Sequence, residues 1–230
     1  MGNNPKILCV IPARGGPKGI RNKNIKKLKK KELIFYTIDF AMNFKDVLDI
    51  VVSTDSKKIR NIVNKKYINL IKNLRPKRLA TDDAFTTDVI KYELEKKEKK
   101  GFNYNYILLL QPTVPYRRVS DLKKCLKIID SKKFDSCITI CDVGANHPHR
   151  MKILRKNYLK NFCNLKKESM VPRHLLPKVY IRSGSIYLIS KKSFFKYNSL
   201  VGKKCTGLVV DGKYSINIDQ IFDFELAQKQ

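Results

Sequence analysis

Residues 6–25 read KILCVIPARGGPKGIRNKNI. The apolar, β-branched run 6–12 ends on Pro12 and predicts a buried strand. A loop follows that carries Gly15, Gly16 and Gly19 among Arg14, Lys18, Arg21 and Lys23. Glycines let backbone N–H groups close around an anion, and arginine presents a bidentate fork to phosphate oxygens. The spacing is neither G-x-x-x-x-G-K-[ST] nor G-x-G-x-x-G. On the residues alone the loop is either an anion cradle or a solvated basic turn.

Outward from this strand the pattern repeats. Residues 33–44 predict a helix packed on a sheet, 48–54 a buried strand, 56–66 a helix and 67–71 a further short strand. Thr81, Asp82 and Asp83 are expected to cap the next helix. Residues 106–111 predict a third clear strand, and Ser120–Asp121 the cap of another helix. Residues 136–141 predict a strand. Residues 183–190 and 206–210 are strands again, and 218–228 a closing helix opened by Asp219. Alternating helices and continuously apolar strands imply an α/β fold: a three-layer, doubly wound, mostly parallel sheet. In such sheets ligands bind beyond the carboxyl ends of the strands, where the glycine loop sits. The periodicity weakens over 147–180, which reads as an inserted β-arm in one domain spanning 1–230.

The chain has 230 residues, 43% hydrophobic and 10% aromatic, a globular composition. Its apolar runs are too short to cross a bilayer. MGNNPK matches neither a signal peptide nor a myristoylation site, so a cytoplasmic location is expected. The six cysteines form no C-x-x-C pair and read as reduced core thiols. The three histidines, His147, His149 and His174, have no metal-box spacing. The formal net charge is +29. Such a charge fits a nucleic-acid binder, but the excess is mostly lysine spread over every segment, without the arginine and aromatic interleaving of single-strand binders. The alternative is a lysine-rich surface around a site that handles anions.

The motifs resemble those of the acylneuraminate (nonulosonate) cytidylyltransferases, in order and over nearly the whole chain. IPARGGPKGIRNKNI (11–25) resembles I-P-A-R-G-G-S-K-G-I-P-x-K-N-I. VSTD (52–55) follows the second strand. RPKRLATDDAFTTDV (75–89) resembles R-P-x-x-L-A-x-D-x-A, and LLQPTVPYR (109–117) resembles L-L-Q-P-T-S-P-L-R. PRHLLPKVYIRSGSIYLI (172–189) and INIDQIFDFELAQ (216–228) match the two closing segments.

The resemblance implies a nucleotidyltransferase that joins CTP to a nine-carbon keto-acid sugar with Mg²⁺ as cofactor, releasing pyrophosphate. It gives Arg14, Lys18 and Lys23 the triphosphate. Ala13, Gly15, Gly16 and Asn24 are expected at the nucleotide, with Ala80 and Thr81 at base and ribose. Gln111, with Thr113 beside it, is expected to meet the sugar. Arg150, Arg173 and Arg182 are candidates for its carboxylate, and Ser183 stands where the family has an asparagine facing the sugar. Asp219 is the first metal candidate and Asn217 the second, where the family has aspartate. Asp223 is expected to orient or cap. The arm 147–180 implies a homodimer in which it reaches toward the partner's site.

Four residues depart from the family pattern: Pro17 for serine, Arg21 for proline, Ser183 for asparagine and Asn217 for aspartate. Within this class the acceptor stays open among sialic, legionaminic and pseudaminic acids and an eight-carbon octulosonate. A guanylyltransferase using an amino-sugar phosphate is a further alternative.

Overall fold

The computed structural model of the chain describes residues 7–16, 19–164 and 170–230. Strands β1 (Ile7–Pro12), β4 (Leu48–Ser53), β5 (Tyr106–Leu109), β6 (Ser136–Asp142), β9 (Tyr180–Ser190) and β10 (Cys205–Val209) form one sheet in the order β10-β6-β9-β5-β1-β4. Strand β1 runs parallel to β4 and β5, and β10 parallel to β6. Strand β9 is antiparallel to both its neighbours. The mostly parallel sheet expected from the apolar strands is therefore present.

Side-chain alternation builds the layers. Cys9 and Ile11 of β1, Leu108 of β5 and Leu188 of β9 face one way. They pack against α1 (Leu33–Met42), α2 (Lys57–Lys66) and α4 (Val119–Asp130). Leu8, Val10, Ile107 and Ile189 face the other way, against α3 (Thr86–Glu98) and α5 (Lys191–Tyr197). A third cluster joins Ile20 and Leu28 to Ile218 and Phe224, the last on α6 (Ile221–Lys229). Leu28 lies in β2 (Lys27–Leu28), which pairs with β3 (Lys31–Glu32).

Four local expectations change. Residues 67–71 form a turn, not a strand. Asn64 supplies the hydrogen bonds a neighbouring strand would have made, donating to Ile71 O (3.0 Å) and accepting from Ile71 N (2.9 Å). Thr81, Asp82 and Asp83 do not cap α3, whose N-cap is Phe85 without a side-chain bond. Ser120 and Asp121 lie within α4, and Asp121 receives the Arg118 guanidinium at 3.0 Å. Finally, α6 is opened by Gln220, which forms a capping box with Asp223. Asp223 accepts from the backbone N–H groups of Asp219 (2.9 Å) and Gln220 (2.8 Å), as its expected capping role requires.

The segment expected as a β-arm holds a two-stranded hairpin, β7 (Lys152–Arg155) with β8 (Tyr158–Asn161). Every residue of β7 and most of β8 are exposed. Leu154, Tyr158 and Leu159 are among them.

The core and the hairpin should respond very differently to truncation. Leu108→Ala, at a fully buried position of a central strand, is expected to cost about 2–5 kcal/mol. Leu154→Ala on the hairpin should change stability by less than about 0.5 kcal/mol. Denaturant titration of the two variants checks both.

Candidate active site

Because β1, β4 and β5 are parallel, their carboxyl ends lie at one end of the sheet. Antiparallel β9 brings its amino-terminal half, with Arg182 and Gly184, to the same end. Two open clefts lie there. The first, about 340 Å³, is lined by residues including Arg14, Lys23, Asn24, Arg75, Thr81 and Asp219. The second, about 510 Å³, is lined by residues including Phe85, Arg182, Tyr187 and Leu200. Gln111 and Thr86 line both.

The first cleft is built from both ends of the chain. Arg14 follows the Pro12 end of β1, and its Nη1 donates to Thr81 O (3.2 Å) and Asp82 Oδ1 (2.7 Å). The expected cap residues thus hold the arginine instead. Lys23 is buried, and its Nζ donates to Ile218 O (2.8 Å) and Asp219 Oδ1 (2.9 Å). Gly19 lies directly beneath: a Cβ there would sit 2.3 Å from Asp219 O. Only glycine allows so close a backbone approach. Asn24 Nδ2 donates to Arg14 O (3.0 Å), while its buried Oδ1 has no hydrogen-bond partner.

The glycine loop uses its donors unevenly. Ala13 is buried, with its N–H on Ser53 O at 2.8 Å. Gly15 N–H donates to Asp55 Oδ1 (2.9 Å), so that donor is turned to the protein and not to the cleft. Gly16 has open space beside it. Lys18, and with it Pro17, lies outside the described residues. Ala80 N–H closes a turn onto Lys77 O at 2.8 Å.

At the junction of the clefts, Gln111 lies over Gly184. With φ at +75°, Gly184 adopts a conformation that side chains disfavour, and a Cβ there would meet Gln111 Oε1 at 2.7 Å. Thr113 lines the first cleft, and its carbonyl accepts from Ile218 N at 2.8 Å. Arg182 stands in the second cleft.

Ser183, expected at the sugar, is not among the residues that line either cleft. Ser183 is buried, and its hydroxyl donates to Thr139 Oγ1 at 2.7 Å, with Thr139 O 3.1 Å away. The β6–β9 register shifts between Ile138 and Ile140. Thr139 has no β9 register partner at that irregularity, and its hydroxyl instead meets the Ser183 hydroxyl and the backbone of Ile186. Arg150 and Arg173 lie at the base of the hairpin. Arg150 reaches Val171 O (3.4 Å) and Arg173 reaches Asp142 Oδ1 (3.4 Å). Neither is among the residues that line the two clefts of its own chain.

The residue most clearly missed by sequence reading is Arg75. It is buried on the wall of the first cleft, its Nη2 is 3.9 Å from Asp55 Oδ1, and its Nε has no partner. Burial holds its guanidinium below the usual arginine range, while Asp55 and Glu93 pull the other way. A buried cation with a spare donor beside an open cleft is suited to an acceptor-rich ligand. Its only sequence signal was its place in RPKRLA, hidden among 49 basic residues.

Asp219 and Asn217, the two expected metal candidates, sit together on the first cleft, one carboxylate and one amide. Asp219 offers a largely exposed carboxylate, and Asn217 Nδ2 donates to its Oδ2 at 2.5 Å. Among the described residues no group of three or more His, Cys, Asp or Glu side chains is placed to hold a metal. Magnesium is commonly held by one or two protein carboxylates, with phosphate oxygens and water completing the shell. Asp211 is occupied elsewhere, accepting from Lys213 N at 3.0 Å.

A family model described as Cytidylyltransferase matches residues 8–202. The chain is 28% identical over 228 residues to an N-acylneuraminate cytidylyltransferase of Escherichia coli, covering 96% of this chain and 51% of that protein. It therefore spans about half the length of that relative. It is 30% identical over 224 residues to a CMP-N,N'-diacetyllegionaminic acid synthase of Campylobacter jejuni, covering 97% of this chain and 94% of the relative. Among solved structures, a CMP:2-keto-3-deoxy-manno-octonic acid synthetase complexed with CTP superposes with a TM-score of 0.64 at 16% identity, over 97% of each chain. A 4-diphosphocytidyl-2C-methyl-D-erythritol synthase of Anaerococcus prevotii does so with a TM-score of 0.60 at 15% identity, over 98% of this chain and 97% of that one. These superpositions bear on the fold.

Gly184→Ala should separate backbone strain from displacement of Gln111. Gly144 also has positive φ, +59°, but open space around it. Each alanine is expected to cost about 1–2 kcal/mol of stability from its left-handed backbone. Only Gly184→Ala should also shift the side-chain amide resonance of Gln111 in an NMR spectrum.

Proposed function

Because the chain belongs to the cytidylyltransferase family, we propose that it transfers CMP from CTP to the anomeric hydroxyl of a nonulosonic acid, releasing pyrophosphate. The observation that carries this reading is the meeting of the two clefts at Gln111. One is rich in cations, with Arg14, Lys23 and Arg75, and suits a nucleoside triphosphate. The other presents Arg182 and apolar side chains and suits a sugar acid.

The acceptor hydroxyl oxygen attacks the α-phosphorus, a P–O bond forms, and the bond to pyrophosphate breaks. The protein's part is positioning and charge neutralisation. Arg14 and Lys23 hold phosphate oxygens, and Lys18 joins them from the same loop. Asn24, Arg75 and the 80–81 segment face the nucleoside, with Gly16 leaving room for close approach. Gln111 fixes the sugar and Arg182 takes its carboxylate. Asp219, with Asn217 beside it, would hold magnesium, which when bound neutralises charge on the triphosphate. The +29 charge fits a surface that attracts two anionic substrates.

In this reading the 147–180 arm forms the contact of a homodimer. Its exposed Leu154, Tyr158 and Leu159 supply apolar area. Arg150 and Arg173, which line neither of the two clefts that meet at Gln111, would serve a partner's site. The reaction draws on cytoplasmic CTP, and its product feeds surface glycan assembly such as lipopolysaccharide or capsule.

Pyrophosphate release with CTP and magnesium, run against N-acetylneuraminate, legionaminate, pseudaminate and the eight-carbon octulosonate, tests the proposal. Release is expected with one or more of the nine-carbon acids. Release only with the octulosonate, or none with any acid, sinks it. Arg14→Ala removes a charge-assisted contact and is expected to lower kcat/KM for CTP about 10- to 100-fold. Asn217→Asp adds a second carboxylate, so the magnesium concentration at half-maximal rate should fall, as a metal titration of the rate would show.

A further inference from the structure

Arg117 lies outside both clefts, yet its guanidinium is directed at the backbone that builds their junction. Nε donates to Ser185 O at 2.9 Å and Nη1 to Thr37 Oγ1 at 2.8 Å. Nη1 also donates to Val114 O, and Nη2 to Gln111 O. Each of these partners is a neutral oxygen. Burial lowers its proton affinity, and the fork of donors facing so many acceptors offsets that cost. A lysine ammonium has neither the planar fork nor the reach to meet them all.

These four oxygens belong to three separate segments. Gln111 and Val114 bracket the loop after β5. Ser185 follows Gly184, the residue on which the Gln111 side chain rests. Thr37 anchors the arrangement to α1. The same loop continues the connection: Thr113 O accepts from Ile218 N, and Ile218 O accepts from Lys23. Asp219 is the next residue. A displacement at Arg117 would therefore reach Gln111 directly and the Asp219 carboxylate one hydrogen bond later.

We propose that Arg117 is a positioning residue of the transfer site, setting Gln111 in register with Gly184 and, through Thr113 and Ile218, with Asp219. This rests on the cytidylyl-transfer reading. Arg117 touches no substrate in it, and its direct link is to Gln111, so its loss acts first on the acceptor side and only at second hand, through Ile218, on the CTP side.

The test compares Arg117→Lys and the milder Thr37→Val with the wild-type chain. The readouts are acceptor KM and kcat, the CTP dissociation constant, thermal stability and amide hydrogen exchange. With the lysine variant, acceptor KM should rise about tenfold or more, the scale of a small misplacement at a reacting centre. The CTP constant should rise by a smaller factor than acceptor KM. Exchange at the Val114 and Ile218 amides should accelerate while that at Cys9 and Leu108 does not. Thr37→Val should move the same quantities in the same direction, by less. Unchanged acceptor KM and unchanged exchange at Val114 and Ile218 overturn the proposal. So does a uniform loss of stability and protection with normal kinetics per folded molecule, which is the signature of a merely structural arginine. If the wild-type chain releases no pyrophosphate with any acid, the reaction reading fails. The exchange at Ile218 and Val114 then decides by itself whether Arg117 fixes the two segments.

Discussion

A buried ammonium holds the site together. Lys23 comes from the loop after the first strand, and its partners, Ile218 O and Asp219 Oδ1, come from the segment before the last helix. Burying an unpaired charge is prohibitive, so these two regions must meet whenever the chain is folded. Gly19 lets them meet closely. The pair also orients Asp219, whose other oxygen receives Asn217. Arg14, Asn24 and the wall carrying Thr81 are then placed around one cleft by a few short hydrogen bonds.

The sheet supplies the second half of the arrangement. Parallel β1, β4 and β5 deliver their carboxyl ends to one rim, the usual place for a ligand in an open α/β sheet. The reversed β9 changes what that rim contains. It brings a strand beginning, not a strand end, between β5 and β6, and with it Arg182 and Gly184. The rim therefore has a cationic side fed by loops and a second side fed by a strand, with Gln111 between them.

Much of this was legible in the sequence. The strand–loop signal at 6–25 located the cleft, and the order of apolar runs gave the sheet. Arg14, Lys23, Asn24, Thr81, Gln111, Thr113, Asn217 and Asp219 do line the first cleft. What escaped the sequence has physical causes. Arg75 and Arg117 stand in matched motifs but among 49 basic residues, and only the fold singles them out, Arg75 by its burial and Arg117 by the four oxygens around its guanidinium. The turn at 67–71 looked like a strand because apolar spacing cannot reveal that Asn64 replaces the neighbouring strand. The contact of Ser183 with Thr139 depends on the shifted β6–β9 register, which a motif cannot show. The cap of the last helix moved by one residue, from Asp219 to Gln220, because Gln220 and Asp223 cap each other, and Asp219 faces the cleft.

The contact between Lys23 and Ile218 spans 195 residues. During synthesis the glycine loop leaves the ribosome 195 residues ahead of its anchor. Until residues 218 and 219 emerge, the Lys23 ammonium stays in water and the first cleft lacks a wall. Loop closure over such a distance comes late, because its entropy must be offset by contacts already formed. A partly made chain can lay down much of its sheet and still present no finished site. Completion of the cleft thus waits for residues 218 and 219, and a chain cut short of them lacks that wall.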